Sequence, residues 1–133
     1  MVRIGLIRER KTPSDSRVAL TPSQAAHVSS TYADVQVVVE PSPVRCFKDE
    51  EYIAQGLKMT TDLSNCDILL GVKEVPIENL IPNKTYCFFS HTKKMQPYNK
   101  SLMQALLEKN ISMVDYECLT YEGGQRVLGF GVH

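Results

Sequence analysis

The chain has 133 residues, 43% of them hydrophobic and 23% charged, a balance that suits one soluble globular domain with a real core. Fifteen Lys and Arg offset fifteen Asp and Glu, so the net charge is zero. No excess of basic charge exists to neutralise phosphates, which argues against nucleic acid or an anionic membrane as the main partner. No apolar run approaches the ~20 residues of a membrane span. The N-terminal MVRIGLIRERK has too short an apolar segment for a signal peptide, so a cytoplasmic protein is expected.

Val2–Ile7 reads as the first strand, followed by a polar loop, RERKTPSDSRVAL. Thr21-Pro22-Ser23-Gln24 then opens a helix, with an N-cap threonine, proline at the first helical position and a capping-box glutamine. This helix is expected to run to about Thr31. Val35–Glu40 is a second strand. Asp49-Glu50-Glu51 places acids in the first turn of a short helix that Gly56 ends. Further strands are expected at Asp67–Val72, Thr85–Ser90 and Ile111–Asp115. Between the last two, Asn99 caps a helix through Lys109, with Leu102, Leu106 and Leu107 on its buried face. Arg126–Phe130 is a final apolar segment of strand character.

Several of these strands are continuously apolar rather than alternating. That is the pattern of a sheet covered on both faces, as in parallel α/β proteins. Strand–helix–strand alternation says the same. The expected fold is an open, doubly wound, mostly parallel sheet with helices on both faces, of Rossmann or flavodoxin-like type. Cys46, Cys66, Cys87 and Cys118 form no CxxC pair, and no histidine sits at zinc-ligand spacing from them. Reduced, packed thiols and no metal are the expectation.

In such a sheet ligands bind beyond the carboxyl ends of the strands. Lys73 follows one apolar strand and His91 another, so both belong at that rim. The loop from Arg8 to Arg17 leaves the first strand there, and Glu117 lies just past Ile111–Asp115. Lys73 and His91 are expected to approach each other across a cleft. A lysine partly withdrawn from water, or beside another cation, has its charged form disfavoured. Histidine titrates near neutrality, and two such groups can divide acid and base roles. Each residue taken singly has a plain alternative: a solvated strand end for Lys73, a loop histidine for His91, a counter-ion for Glu74, and neutralisation of Asp15 for Arg17. Gly129-Phe130-Gly131 is a weak GxG with no helix to follow it.

The segment IGLIRERKTPSDSRVALTP, residues 4–22, resembles the N-terminal signature of the alanine dehydrogenase and pyridine nucleotide transhydrogenase superfamily. LLGVKEVP and FFSHTKK resemble the segments that bear its catalytic lysine and histidine, and DYECLTYEGGQRVLGFG extends the likeness over nearly the whole chain. Within the superfamily the chain most resembles lysine-forming saccharopine dehydrogenase, because Thr92-Lys93-Lys94 follows His91 where alanine dehydrogenases usually carry a leucine.

The resemblance implies NAD-dependent oxidation of a secondary amine to an imine, which water splits into lysine and 2-oxoglutarate. It makes Lys73 and His91 the acid–base pair and Arg17 a substrate-carboxylate arginine. Lys11, Glu74, Glu117 and Arg126 match positions lining the same cleft. The substrate is then a small amino acid or dicarboxylate. Family enzymes are far longer, and a C-terminal Rossmann domain binds most of the NAD. This chain, residues 1–133, therefore reads as the N-terminal substrate-side domain, inactive alone and lacking that partner. An alanine dehydrogenase-like domain and a non-catalytic ligand-binding module of the same fold are the alternatives.

Overall fold

The computed structural model describes residues 1–10, 15–73, 75–89 and 97–116. The elements in chain order are β1 (Val2–Leu6), α1 (Pro22–Thr31), β2 (Val35–Val39), α2 (Asp49–Ala54), β3 (Lys58–Met59), β4 (Ile68–Lys73), a 3-10 turn (Ile77–Asn79), β5 (Thr85–Phe89), α3 (Pro97–Glu108) and β6 (Ser112–Asp115). The six strands form one sheet in the order β3-β2-β1-β4-β5-β6, and every pairing is parallel. The expected open parallel sheet is what the chain forms.

Local signals start and stop the helices as the sequence predicts. The Thr21 hydroxyl accepts from the Gln24 backbone N–H at 3.3 Å, and the Gln24 side chain accepts from the Thr21 N–H at 2.9 Å, a reciprocal capping box. Gly56 stops α2 at φ +86°, a backbone conformation in which a Cβ is strained. The Glu51 carboxylate folds back onto the Lys48 N–H at 2.7 Å at the start of α2.

Side chains alternate between the two faces of the sheet. Leu6, Val37 and Val39 point to one face and bury Ala25 of α1 and Tyr52 of α2. Val38, Leu69, Tyr86 and Phe88 point to the other and pack on Leu102, Ala105 and Leu106 of α3. Helices thus lie on both faces, which explains the continuously apolar strands. Gly5 allows close packing between these layers: a Cβ there would come within 2.8 Å of Leu69 Cδ2 and 2.9 Å of Cys66 Sγ.

The structure corrects three details. Leu107 is 79% exposed, whereas Leu102 and Leu106 are buried; at 3.6 residues per turn it lies off the stripe, and Ala105 takes the inward place. Helix α3 begins at Pro97 rather than Asn99, with proline tolerated in the first turn. The two-residue β3 pairs Lys58 with Val38 and Met59 with Val39, and it is too short to leave a pattern in the sequence. The expected strand at Arg126–Phe130 lies outside the described residues. Cys46, Cys66 and Cys87 are free thiols, and no described helix is long and apolar enough to cross a membrane.

Candidate active site

The strand order creates a switch point. From β1 the chain proceeds outward to β2 and β3, then returns to the opposite side of β1 and proceeds through β4, β5 and β6. Connections leaving in opposite directions open a crevice beyond the carboxyl ends of β1 and β4, the usual ligand position of open α/β sheets. Lys73 is the last residue of β4. Arg8, Glu9 and Arg10 follow β1 into the same crevice, beside the end of β4.

Three charged side chains interlock there. Asp15 is almost fully buried and accepts from the Arg17 backbone N–H at 2.9 Å, from Arg17 Nε at 3.0 Å and from Arg17 Nη2 at 2.6 Å. This is the fork geometry in which a guanidinium grips a carboxylate. Arg17 holds the Asp15 carboxyl below the usual carboxylate range, against the opposing effect of burial, and Lys73 adds to the lowering. The Lys73 ammonium lies 3.7 Å from Asp15 Oδ2, with its side chain 29% exposed. The immediate neighbour of Lys73 among the described residues is therefore an anion rather than a second cation. Arg17 keeps 44% of its side chain in solvent, so it is paired with Asp15 and still accessible.

Glu9 sits on the inner side of the crevice. One oxygen accepts from the Lys73 backbone N–H at 2.7 Å and the other from the Val72 N–H at 3.1 Å. Burial raises its pKa above the ordinary 4.5, and the two amide bonds oppose that rise. Glu40, at the end of β2, anchors the other side of the loop. It accepts from the Arg8 backbone N–H at 2.8 Å and from the Arg10 guanidinium at 2.5 Å. A cleft of about 260 Å³ opens alongside, bordered by Lys73, Glu9, Arg10, Glu40, Leu63 and Tyr86.

Two of the sequence-predicted site residues, Lys73 and Arg17, are thus brought together through Asp15. Lys11, Glu74, His91, Glu117 and Arg126 lie outside the described residues. Strand β5 ends at Phe89, level with Lys73 in the register, so it finishes at the same rim. Glu9 and Glu40 escaped the sequence reading. Each follows a strand that ends at the crevice, and that positional rule alone could have singled them out. Among the described residues no group of three or more His, Cys, Asp or Glu is placed to hold a metal ion.

The pair of carboxylates has a measurable consequence. Asp15 has a lowered folded-state pKa, so it contributes stability above the ordinary value of 3.8 and loses it as pH falls through the folded value. Glu9, with a raised value, contributes below 4.5 and loses that contribution as pH rises through its folded value. Asp15→Asn is expected to flatten the acid limb of a melting-temperature profile below about pH 4. A variant profile parallel to that of the wild type would show that Asp15 is not held in its charged form.

Fold and site together define an α/β domain with a charged crevice at its switch point. The profile of the alanine dehydrogenase/PNT N-terminal domain matches residues 5–133. The chain is 37% identical over 128 residues to the mitochondrial alpha-aminoadipic semialdehyde synthase of Bos taurus, covering 96% of this chain and 14% of that protein. It is 30% identical over 132 residues to the NAD(+), L-lysine-forming saccharopine dehydrogenase of Yarrowia lipolytica, covering 96% of this chain and 35% of that protein. Among solved structures, an L-alanine dehydrogenase superposes with a TM-score of 0.76 at 18% identity, over 93% of this chain and 35% of that one. The transhydrogenase of Sinorhizobium meliloti superposes with a TM-score of 0.69 at 18% identity, over 86% of this chain and 35% of that one. These two show a shared fold. The chain belongs to the alanine dehydrogenase/PNT N-terminal domain family, and it spans about a third or less of the length of these relatives.

Proposed function

We propose that the chain is the substrate-side catalytic domain of an NAD-dependent oxidoreductase that acts on saccharopine. The overall reaction converts saccharopine, NAD and water to lysine, 2-oxoglutarate and NADH with release of a proton. The observation that carries the proposal is Lys73 at the switch point, its ammonium 3.7 Å from an Asp15 that Arg17 in turn fixes. The likeness to saccharopine dehydrogenase sequences supports saccharopine as the substrate. The alanine dehydrogenase alternative shares the family profile, and its solved structure shares the fold at 18% identity.

In this reading Lys73 and His91 form the acid–base pair. One takes the proton of the secondary amine; the other assists water attack on the imine carbon and collapse of the carbinolamine. The proposal gives Glu74, Glu117, Lys11 and Arg126 substrate-binding roles, as the family resemblance implies. The described crevice does not fit the pyrophosphate of a dinucleotide. Beyond β1 the chain runs Arg8-Glu9-Arg10 rather than the glycine turn that lets backbone approach a pyrophosphate. The proposal therefore assigns NAD to a second, C-terminal domain and gives this domain the substrate. A cytoplasmic location is part of the same proposal, supported by the free thiols.

Arg17 supplies the test of substrate binding. Its guanidinium is pre-oriented by Asp15 yet accessible, which suits it to a substrate carboxylate. Arg17→Ala in the complete enzyme is expected to raise the KM for saccharopine about tenfold or more, as loss of a charge-assisted hydrogen bond of about 1.5–3 kcal/mol implies. An unchanged KM with activity intact would remove Arg17 from substrate binding.

A further inference from the structure

We infer that Glu9 is a positioning residue for Lys73, holding the end of β4 in the irregular conformation that aims the lysine into the crevice. The inference rests on the proposed acid–base role of Lys73 and on three features of the strand end.

The first is the hydrogen bonding. Backbone pairing between β1 and β4 ends with Ile7, whose N–H donates to the Leu70 carbonyl at 3.0 Å. Beyond that point the Glu9 side chain replaces the strand. Its two oxygens take the N–H groups of Val72 and Lys73, at 3.1 and 2.7 Å. In a regular strand, consecutive amides point to opposite sides. Two consecutive amides on one carboxylate require the strand to depart from regularity there.

The second is the register. The β4–β5 pairing runs in step from Ile68 with Thr85 to Leu70 with Cys87, then slips, so that Lys73 pairs with Phe89. Such bulges re-aim a side chain. Because side chains alternate, one residue of slip decides which face of the sheet a residue presents. The two Glu9 bonds, at Val72 and Lys73, fall within the stretch from Leu70 to Lys73 where the register slips.

The third is space. Gly71 lies within the slip, and a Cβ there would come within 2.9 Å of Ile7 Cδ1 and 3.3 Å of Glu9 Oε2. A glycine at this position leaves the Glu9 carboxylate room to reach the β4 amides. Lys73 is consequently held at both ends: its main chain by Glu9, and its ammonium by Asp15. An ionised carboxylate suits the task, since both oxygens must accept.

Two readouts test this. In the 15N-labelled chain, the amide protons of Val72 and Lys73 should titrate together with a midpoint above 4.5, the ordinary Glu value, and Glu9→Gln should abolish that titration and move those two resonances most. Glutamine keeps the size of the side chain but turns an NH₂ toward one of the two amides. In the complete enzyme, Glu9→Gln should lower kcat by roughly 10- to 100-fold, as misplacement of a catalytic group does. The pH profile of kcat should change, and the KM for NAD should stay the same. Glu9→Asp, charged but a methylene too short, should share the loss, which keeps the test usable if the glutamine variant folds poorly. Amides that ignore Glu9, or variants with wild-type kcat and pH profile, would overturn the inference. Full activity of Lys73→Met would instead sink the acid–base reading and Glu9's role with it, while the amide titration reports the backbone link independently of turnover.

Discussion

Lys73→Met in the complete enzyme is expected to lower turnover by about 10²–10⁴-fold while leaving the fold in place, the range that a positioned acid or base contributes. Methionine retains the length of the lysine stem and its packing but carries no proton. The side chain is only 29% exposed and has an anionic partner 3.7 Å away, so the substitution removes the ammonium and its contact with Asp15 but leaves Asp15 gripped by Arg17. His91→Gln should produce a loss of the same order, since the reaction needs both a proton acceptor and a proton donor. Steady-state NADH absorbance across pH, read beside thermal denaturation, checks both. Wild-type rates at every pH for either variant would remove that residue from its role.

The largest expected effect on stability is at Phe88. It is fully buried, packs edge-on against Tyr86 with ring centroids 6.1 Å apart, and belongs to the cluster that joins β4 and β5 to α3. Phe88→Ala should cost about 3–5 kcal/mol, the sum of lost transfer energy and the cavity left behind. Phe89, the next residue, pairs with Lys73, so the same substitution loosens the sheet end on which the crevice depends. Urea denaturation with an unchanged slope measures the cost. A loss below about 1 kcal/mol would mean that the α3 layer is not the core described here.

Much of the fold was legible in the sequence because its signals are local. Thr21, Pro22 and Gln24 start α1 through contacts spanning four residues, and Gly56 ends α2 by its own backbone preference. The apolar runs of β2, β4 and β5 announced two covered faces. The order of the strands was not legible, because it is decided by which way each connection crosses, and no short stretch records that. β3 escaped notice because two residues leave no periodicity. Leu107 is exposed although a leucine beside the stripe looks the same in sequence as one on it until the helix is docked.

The candidate site divides along the same line. Lys73 stood out because an apolar run ends at a charge, and strand ends have a fixed place in a parallel sheet. Arg17 emerged from the resemblance of RVALTP. Glu9 did not, since Arg8-Glu9-Arg10 looks like a solvated charged run. What changes its meaning is a bond across 64 positions to the amide of Lys73, and that bond depends on β4 lying beside β1. Asp15 was visible only as a possible neutraliser of Arg17. The structure adds that the same carboxylate also meets Lys73, which makes it the link between the two.

The proposed role of this domain is in the oxidation of a secondary amine to lysine and a 2-oxo acid. The most direct measurement is NADH formation by the complete enzyme with saccharopine or with alanine as the sole substrate, with the products identified by mass. The account predicts turnover with saccharopine, yielding lysine and 2-oxoglutarate in equal amounts with NADH. Turnover with alanine instead, or no NADH from saccharopine by a folded enzyme that binds NAD, would contradict it.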